Sequence, residues 1–400
     1  MTALVARTVR VDADADLLAL AGDHGWLWER GRVGLAGAGE ARRVPLAAVD
    51  SVLGSIDTVD EVRLPGTGPV AFGALPFDTG RRAEATVVIP RVVLGRAEDG
   101  TRWRTTVGPA EGWVDDDDTP SAAGTASPAQ FTVAPARPAS WWCDLVTRAT
   151  KAIADGPLHK VVLAREVIVT ADEPIRPTVI AGRLRAGYPG CIIYSVDGFV
   201  GASPELLVAR AGDVVRAHPM AGTAPRGGDP TTDARLAASL LASAKDRHEH
   251  QITIDMVHDT LLPWCSYVDY EAEPSVVAVA NVQHLATLVE GRLSSPAPSV
   301  LELVRALHPT PAVAGWPRDL ALAYIAEHEQ LDRRRYAGPV GWVDARGNGA
   351  WAVGVRGAEL DGTEARLYAG NGIVADSDPA TELAETQAKF QALMSALLRV

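Results

Sequence analysis

Hydrophobic residues follow two different periods along this chain. Up to about residue 110 they fall in short β-branched runs, such as VRVDA (9–13) and TVVIPRVVL (86–94), separated by Gly and Pro, which predicts strands joined by turns. The acidic and then small, Pro-containing stretch VDDDDTPSAAGTASPAQ (114–130) reads as an exposed loop. From Ser140 the periods alternate. WWCDLVTRATKAIADG (141–156) and RPTVIAGRLRAGYP (176–189) have helical spacing, HKVVLAREVIVT (159–170) is a strand, and residues 191–222 are strands broken at Asp197-Gly198 and Gly212-Asp213. Asp229 to about Leu262 reads as one long helical stretch, 275–293 as strands, Ser299–Leu307 as a short helix and Arg318–Arg334 as a longer one. Residues 338–374 are rich in hairpins, with a turn at Asp361-Gly362, and a last helix begins near Pro379. Interleaved strands and helices define an α/β or α+β class with mixed or antiparallel sheets. Residues 1–135 form an N-terminal region of strands and turns, and 140–396 carries the motifs.

Composition adds limits. In 400 residues, 47% are hydrophobic, ample for a large core, and the formal charge of −12 argues against nucleic acid or an anionic membrane as partner. Cys143, Cys191 and Cys265 are widely spaced with no CxxC, so neither a disulfide framework nor a thiolate metal site is expected, which suits a reducing cytoplasm. The N-terminus reaches acidic residues before any signal-like apolar run, and no run of ~18 apolar residues occurs. The expectation is a soluble cytoplasmic protein.

Two stretches carry candidate chemistry. Asp246 and Glu249 are three apart in a helical pattern, and Glu382 and Glu385 repeat the spacing far downstream. Residues three apart share a helix face, so each pair sets two carboxylates side by side, and that repulsion calls for a cation or a solvated surface. Four carboxylates converging from two helices would suit Mg²⁺; wet faces relieved by Lys245, Arg247 and Lys389 are the other reading. His248 and His250 are two apart and diverge, and there is no HExxH, so zinc is not indicated. The GNG at 370–372 lacks the spacing of a dinucleotide loop.

Several stretches, taken together and in order, resemble the chorismate-utilising enzymes: LHKVVLAREV (158–167), GASPELLV (201–208), HPMAGTAPRG (218–227), SAKDRHEHQ (243–251), HLATLVEG (284–291), LHPTPAVAG (307–315), the hairpin region 336–360, YAGNGIV (368–374) and ELAETQAK (382–389). KVVLAR, KDRHEH and HPTPA are most similar to isochorismate synthases of siderophore or menaquinone supply. The resemblance implies a single large chorismate-binding domain in which antiparallel sheets pack between helices, the N-terminal region completing the fold. It also implies Mg²⁺ held by Asp246, Glu249, Glu382 and Glu385, with Glu249 and Glu385 in more direct contact.

Isochorismate formation moves oxygen from C4 of chorismate to C2: water attacks C2, the ring double bonds shift and the C4 hydroxyl leaves, which needs a base on one side and an acid on the other. By resemblance Lys160 is the base. Alternation along its strand puts Lys160, Val162 and Ala164 on one face, a lone ammonium on an apolar wall, and burial of that kind lowers a lysine's pKa. Without the resemblance, a snorkelling surface lysine is the commoner reading. Glu205 is implied as the acid and Arg356 as a two-pronged clamp for the enolpyruvyl carboxylate. Backbone N–H groups of Gly222, Thr223, Gly370 and Gly372 are expected near the substrate, with His284, or a core histidine in its place, and Lys389 completing the set. Ala312 matches isochorismate synthases; a salicylate synthase, which goes on to expel pyruvate, is the alternative. A monomer is expected.

Overall fold

The computed structural model of the chain describes residues 3–110, 128–279 and 282–398; most of the predicted acidic loop lies outside the described residues. Among these residues, twenty strands join by hydrogen-bonded ladders into one sheet, and Met220–Pro225, Val282–Ala286 and Ser275–Val279 form a small second sheet. The ladders are antiparallel except for Leu4–Arg10 against Asp57–Asp60. The first hundred residues are woven into the rest: Trp26–Arg30 pairs with Ile192–Val196, and Val70–Ala74 with Pro339–Asp344.

At the centre runs Lys160–Ala171. It pairs along nearly its whole length with Glu364–Ile373 on one side, and with Phe131–Pro135 and Gly315–Trp316 on the other. Its first half, Lys160 to Ala164, is buried without interruption, which explains the near-continuous apolar run where simple alternation would leave every second residue wet. The helices Ala139–Asp155 and Pro379–Leu397 pack on this strand pair, with Trp142, Leu145 and Val146 fully buried.

The structure divides one predicted helix. Asp229–Leu262 is two helices, Pro230–Ala242 and Ala244–Leu261, because Ser243 adopts an extended backbone and its Oγ accepts from Asp246 N at 3.2 Å, capping the second helix. The break re-aims the helix that carries Asp246 and Glu249. The predicted helix from Arg318 stops at His328 instead of Arg334, since Gln330 and Arg334 are left-handed (φ 48° and 49°). The short helices Leu17–Ala21 and Val49–Gly54 lie where the sequence reads only strands and turns. Ser299 caps Val300–Leu307 in a capping box with Glu302.

The segment that ends the helix early splints the central strand. Glu329 accepts from Ala164 N at 2.8 Å and from the guanidinium of Arg333, which itself donates to the carbonyls of Val162 at 2.6 Å and Val313 at 3.0 Å. Both side chains are essentially inaccessible. Removing the acid would leave a buried guanidinium without a counter-charge, so Glu329→Ala is expected to cost about 3–5 kcal/mol, read as a lowered urea midpoint; a loss under about 1 kcal/mol would mean that the splint carries no weight.

Candidate active site

The residues singled out in the sequence for binding or catalysis, from Lys160 to Lys389, all line one cavity of about 270 Å³. The central strand supplies Lys160, the capped helix Ala244–Leu261 supplies Asp246 and Glu249, and the last helix Pro379–Leu397 supplies Glu382, Glu385 and Lys389. Glu205 follows the strand Phe199–Ser203, while Arg356 sits between Gly349–Val353 and Gly357–Asp361.

Lys160 is 7% exposed, and its Nζ lies 2.5 Å from Glu249 Oε1. The ammonium is thus buried as expected but is paired, not alone on an apolar wall, because the Glu249 side chain reaches it from the helix after Ser243. Room for it comes from Gly372, whose Cβ, were there one, would lie 2.5 Å from Lys160 Cε. Gly222 (φ 74°) approaches Asp246 less closely, a Cβ meeting Asp246 Cβ at 3.2 Å. Burial pushes Glu249 up, but Lys160 first, and then Lys245 and Lys389, outweigh it, and its carboxyl is held below the ordinary value.

Glu205 behaves oppositely. Burial pushes its carboxyl up to about 8, against a backbone hydrogen bond from Met220 and the attraction of Lys160, so it is protonated at neutral pH. Arg356 is half-buried and left-handed (φ 53°), an uncommon conformation for a non-glycine residue. Its Nη2 donates to His284 Nε2 at 2.9 Å, while Nη1 is buried with no partner. His284 Nδ1 faces Thr223 Oγ1 at 3.0 Å and Gly222 O at 3.4 Å, and burial, then Arg356, push its pKa well down. The ring is therefore neutral, with Nε2 accepting from Arg356. The guanidinium thus lines the cavity with one nitrogen unmatched among the described residues, a charge state that suits an anion.

The second acidic pair is also engaged. Lys389 Nζ donates to Glu385 Oε1 at 2.8 Å, Asn371 Oδ1 at 2.7 Å and Gly370 O at 2.9 Å; Asn371 Nδ2 and Ser377 Oγ donate to Glu382. Burial raises the Glu382 carboxyl, Ser377 opposes this, and Glu385 adds to it. Among the described residues, no three His, Cys, Asp or Glu side chains stand close enough to hold a metal ion together. The four carboxylates share the cavity without converging, since Lys160 holds Glu249 and Lys389 holds Glu385. As a donor set they still fit a hard divalent cation: carboxylate oxygens on two facing helices, with lysine ammoniums now balancing the charge a cation would balance. His250 is buried with Nε2 on Thr287 Oγ1 and His248 is exposed, so neither joins the cavity.

Several wall residues escaped the sequence reading, among them three with large polar side chains. Lys245, read there only as relief for repulsion, lines the cavity and pairs with Asp376 at 3.2 Å. Tyr336 and Tyr368 also line it, their rings stacked at 5.4 Å. The signal was the tripeptide Tyr-Ala-Gly, which occurs at both places.

Fold and cavity define an enzyme of the chorismate class. A family model described as chorismate binding enzyme matches residues 44–398, and the chain belongs to that family. A Mycobacterium tuberculosis (strain H37Rv) protein provisionally named isochorismate synthase MenF is 44% identical over 347 residues, 83% of this chain and 87% of that protein. Isochorismate synthase DhbC of Bacillus subtilis (strain 168) is 38% identical over 340 residues, 82% and 81% of the two chains. The solved structure of the menaquinone-specific isochorismate synthase MenF from Escherichia coli matches with a TM-score of 0.86 at 26% identity, covering 99% of this chain and 95% of that one.

The environment of Glu205 predicts a titration near pH 8. The carbonyl stretch of a protonated carboxylic acid, absent in Glu205→Gln, is expected in infrared difference spectra at pH 6.5 and lost through about pH 8. Loss below pH 6 would contradict the burial argument.

Proposed function

We propose that this protein is an isochorismate synthase, a Mg²⁺-dependent isomerase that converts chorismate to isochorismate for siderophore or menaquinone biosynthesis. The observation that carries the reading is a buried carboxylic acid, protonated at neutral pH, in the same small cavity as a buried amine. Lys160, as the base, takes a proton from water attacking C2; the ring double bonds shift; Glu205 gives its proton to the C4 hydroxyl, which leaves as water. One water enters and one departs, so the reaction is balanced without a co-reactant. Both groups must return to their starting forms, Glu205 regaining a proton and Lys160 losing one.

Arg356, in the cavity wall, receives a substrate carboxylate, and His284, fixed by Thr223 and Gly222, keeps that guanidinium aimed. Asp246, Glu249, Glu382 and Glu385 would hold the magnesium, Glu249 and Glu385 most directly. When bound, the ion supplies Lewis-acid stabilisation to the ring carboxylate. Taking up Glu249 would also leave Lys160 without its present partner. The isomerase reading is favoured over a salicylate synthase by the names of the relatives, all of the cited ones isochorismate synthases. A monomer in the cytoplasm, acting on a small molecule and on neither nucleic acid nor membrane, completes the proposal. It accords with the net charge of −12 and with the fact that no helix among the described residues is long and apolar enough to cross a membrane.

Incubation with chorismate, resolved by chromatography, is expected to yield isochorismate with Mg²⁺ and none with EDTA. Lys160→Ala and Glu205→Gln should each lower turnover by at least about 10²-fold with the fold intact; wild-type rates from either, or fluorescent salicylate as the main product, would refute the assignment. In the free enzyme the acid form of Glu205 is present below its pKa and lost above it, so kcat/KM should decline as pH rises beyond about 8. Gly372→Ala displaces the amine and should cost roughly 10²-fold in rate with little loss of stability; unchanged kinetics would show that Lys160 needs no exact placement.

A further inference from the structure

Behind the central strand lies a second pocket that shares no lining residue with the catalytic cavity. It encloses about 220 Å³ between the start of the helix Ala139–Asp155, the strand Lys160–Ala171 and the segment 329–332. Its walls include two indoles, Trp141 and Trp142, and two guanidiniums, Arg137 and Arg165.

The charges in this pocket are unevenly satisfied. Each wall carboxylate already has its own arginine: Glu166 pairs with Arg366 at 2.9 Å, Glu329 with Arg333 at 2.6 Å and Asp332 with Arg81 at 3.0 Å. Arg165, half-buried, has no such partner: its Nη1 donates to Thr386 Oγ1 at 2.7 Å, and among the described residues it meets no carboxylate. Its guanidinium instead lies 5.6 Å from the Trp142 ring and 5.8 Å from the Phe390 ring. Cation–π contact offsets part of the cost of removing a charge from water but does not neutralise it. Burial accordingly pushes the guanidinium below its ordinary value.

A second group awaits a partner. Trp142 is 1% exposed, and its indole Nε1 is buried without an acceptor. A buried N–H left unmade costs about 1–3 kcal/mol, so such groups are normally matched. At the rim Arg137 stacks 4.6 Å over Trp141 and donates to Gln330 O at 3.3 Å, adding a second cation beside a flat apolar face.

We propose that this pocket binds a small aromatic carboxylate, the carboxylate facing Arg165 and the ring lying against the tryptophans. Such a ligand supplies the counter-charge that the Arg165 guanidinium lacks, and a benzoate-sized ring fits the enclosed volume. Arg165 is also tied to Thr386, the residue after Glu385, so an occupant that engages Arg165 draws on a side chain bonded to the helix that carries the second acidic pair. The proposal stands independently of the reaction assigned to the catalytic cavity.

Isothermal titration of the full chain with sodium benzoate, and with sodium acetate as the ringless control, tests it. Benzoate should bind more tightly than acetate; Arg165→Gln should weaken benzoate at least ~10-fold and Arg137→Gln several-fold, while Arg356→Gln, which alters the catalytic cavity, leaves it unchanged. Arg137 is exposed at the rim, so its variant reads the pocket even should Arg165→Gln fail to fold. The proposal is overturned by no benzoate binding to the wild type, by acetate binding as tightly, by full affinity in both pocket variants, or by loss of binding in Arg356→Gln.

Discussion

The contact between Lys160 and Glu249, 2.5 Å long and spanning 89 residues of sequence, joins the central strand to the first acidic helix, and the cavity exists because they meet there. Burying such a pair adds little net stability, since desolvation cancels much of the attraction. Its value lies in placement. The strand is held by ladders on both edges and by the Glu329–Arg333 splint, and the helix is aimed by the Ser243 cap. Rigid elements thus fix an amine and a carboxylate whose pairing is tight yet open to exchange, which a catalytic base and a cation ligand both need.

Around this pair the cavity sorts carboxyl groups by environment. Glu249, among ammoniums, is held below the ordinary value; Glu205 is pushed up to about 8 by burial, against a backbone hydrogen bond from Met220 and the attraction of Lys160. One is suited to hold a cation and the other to donate a proton, a division set by surroundings alone. Arg356 shows the same economy. Its left-handed backbone and its bond to neutral His284 hold a guanidinium in the cavity wall with one nitrogen unmatched among the described residues.

Much of this was legible in the linear chain, but in a particular way. The three-residue spacing of each acidic pair gave the shared helix face, and residues 159–170 read as a strand, though as an alternating one, whose unbroken burial from Lys160 to Ala164 only the fold reveals. Local periodicity could not show that Glu249 would reach Lys160, so the ammonium expected to stand alone turned out to be paired. The same limit hid Lys245, Tyr336 and Tyr368, whose membership in the cavity depends on which elements cross. Helix ends were misread where a side chain took over backbone bonding: at Ser243 by a cap, and after His328 by Glu329 and Arg333 turning to the central strand. The family motifs brought the whole cavity list together because they sample all the crossing elements at once.

The central claim is that water enters at C2 as the C4 hydroxyl leaves, between Lys160 and Glu205. Turnover of chorismate in ¹⁸O-labelled water, followed by mass spectrometry of the product, tests it most directly. The account predicts isochorismate carrying one heavy oxygen, on C2, from the first turnover. Isochorismate without label, or a labelled product of another kind, would contradict it.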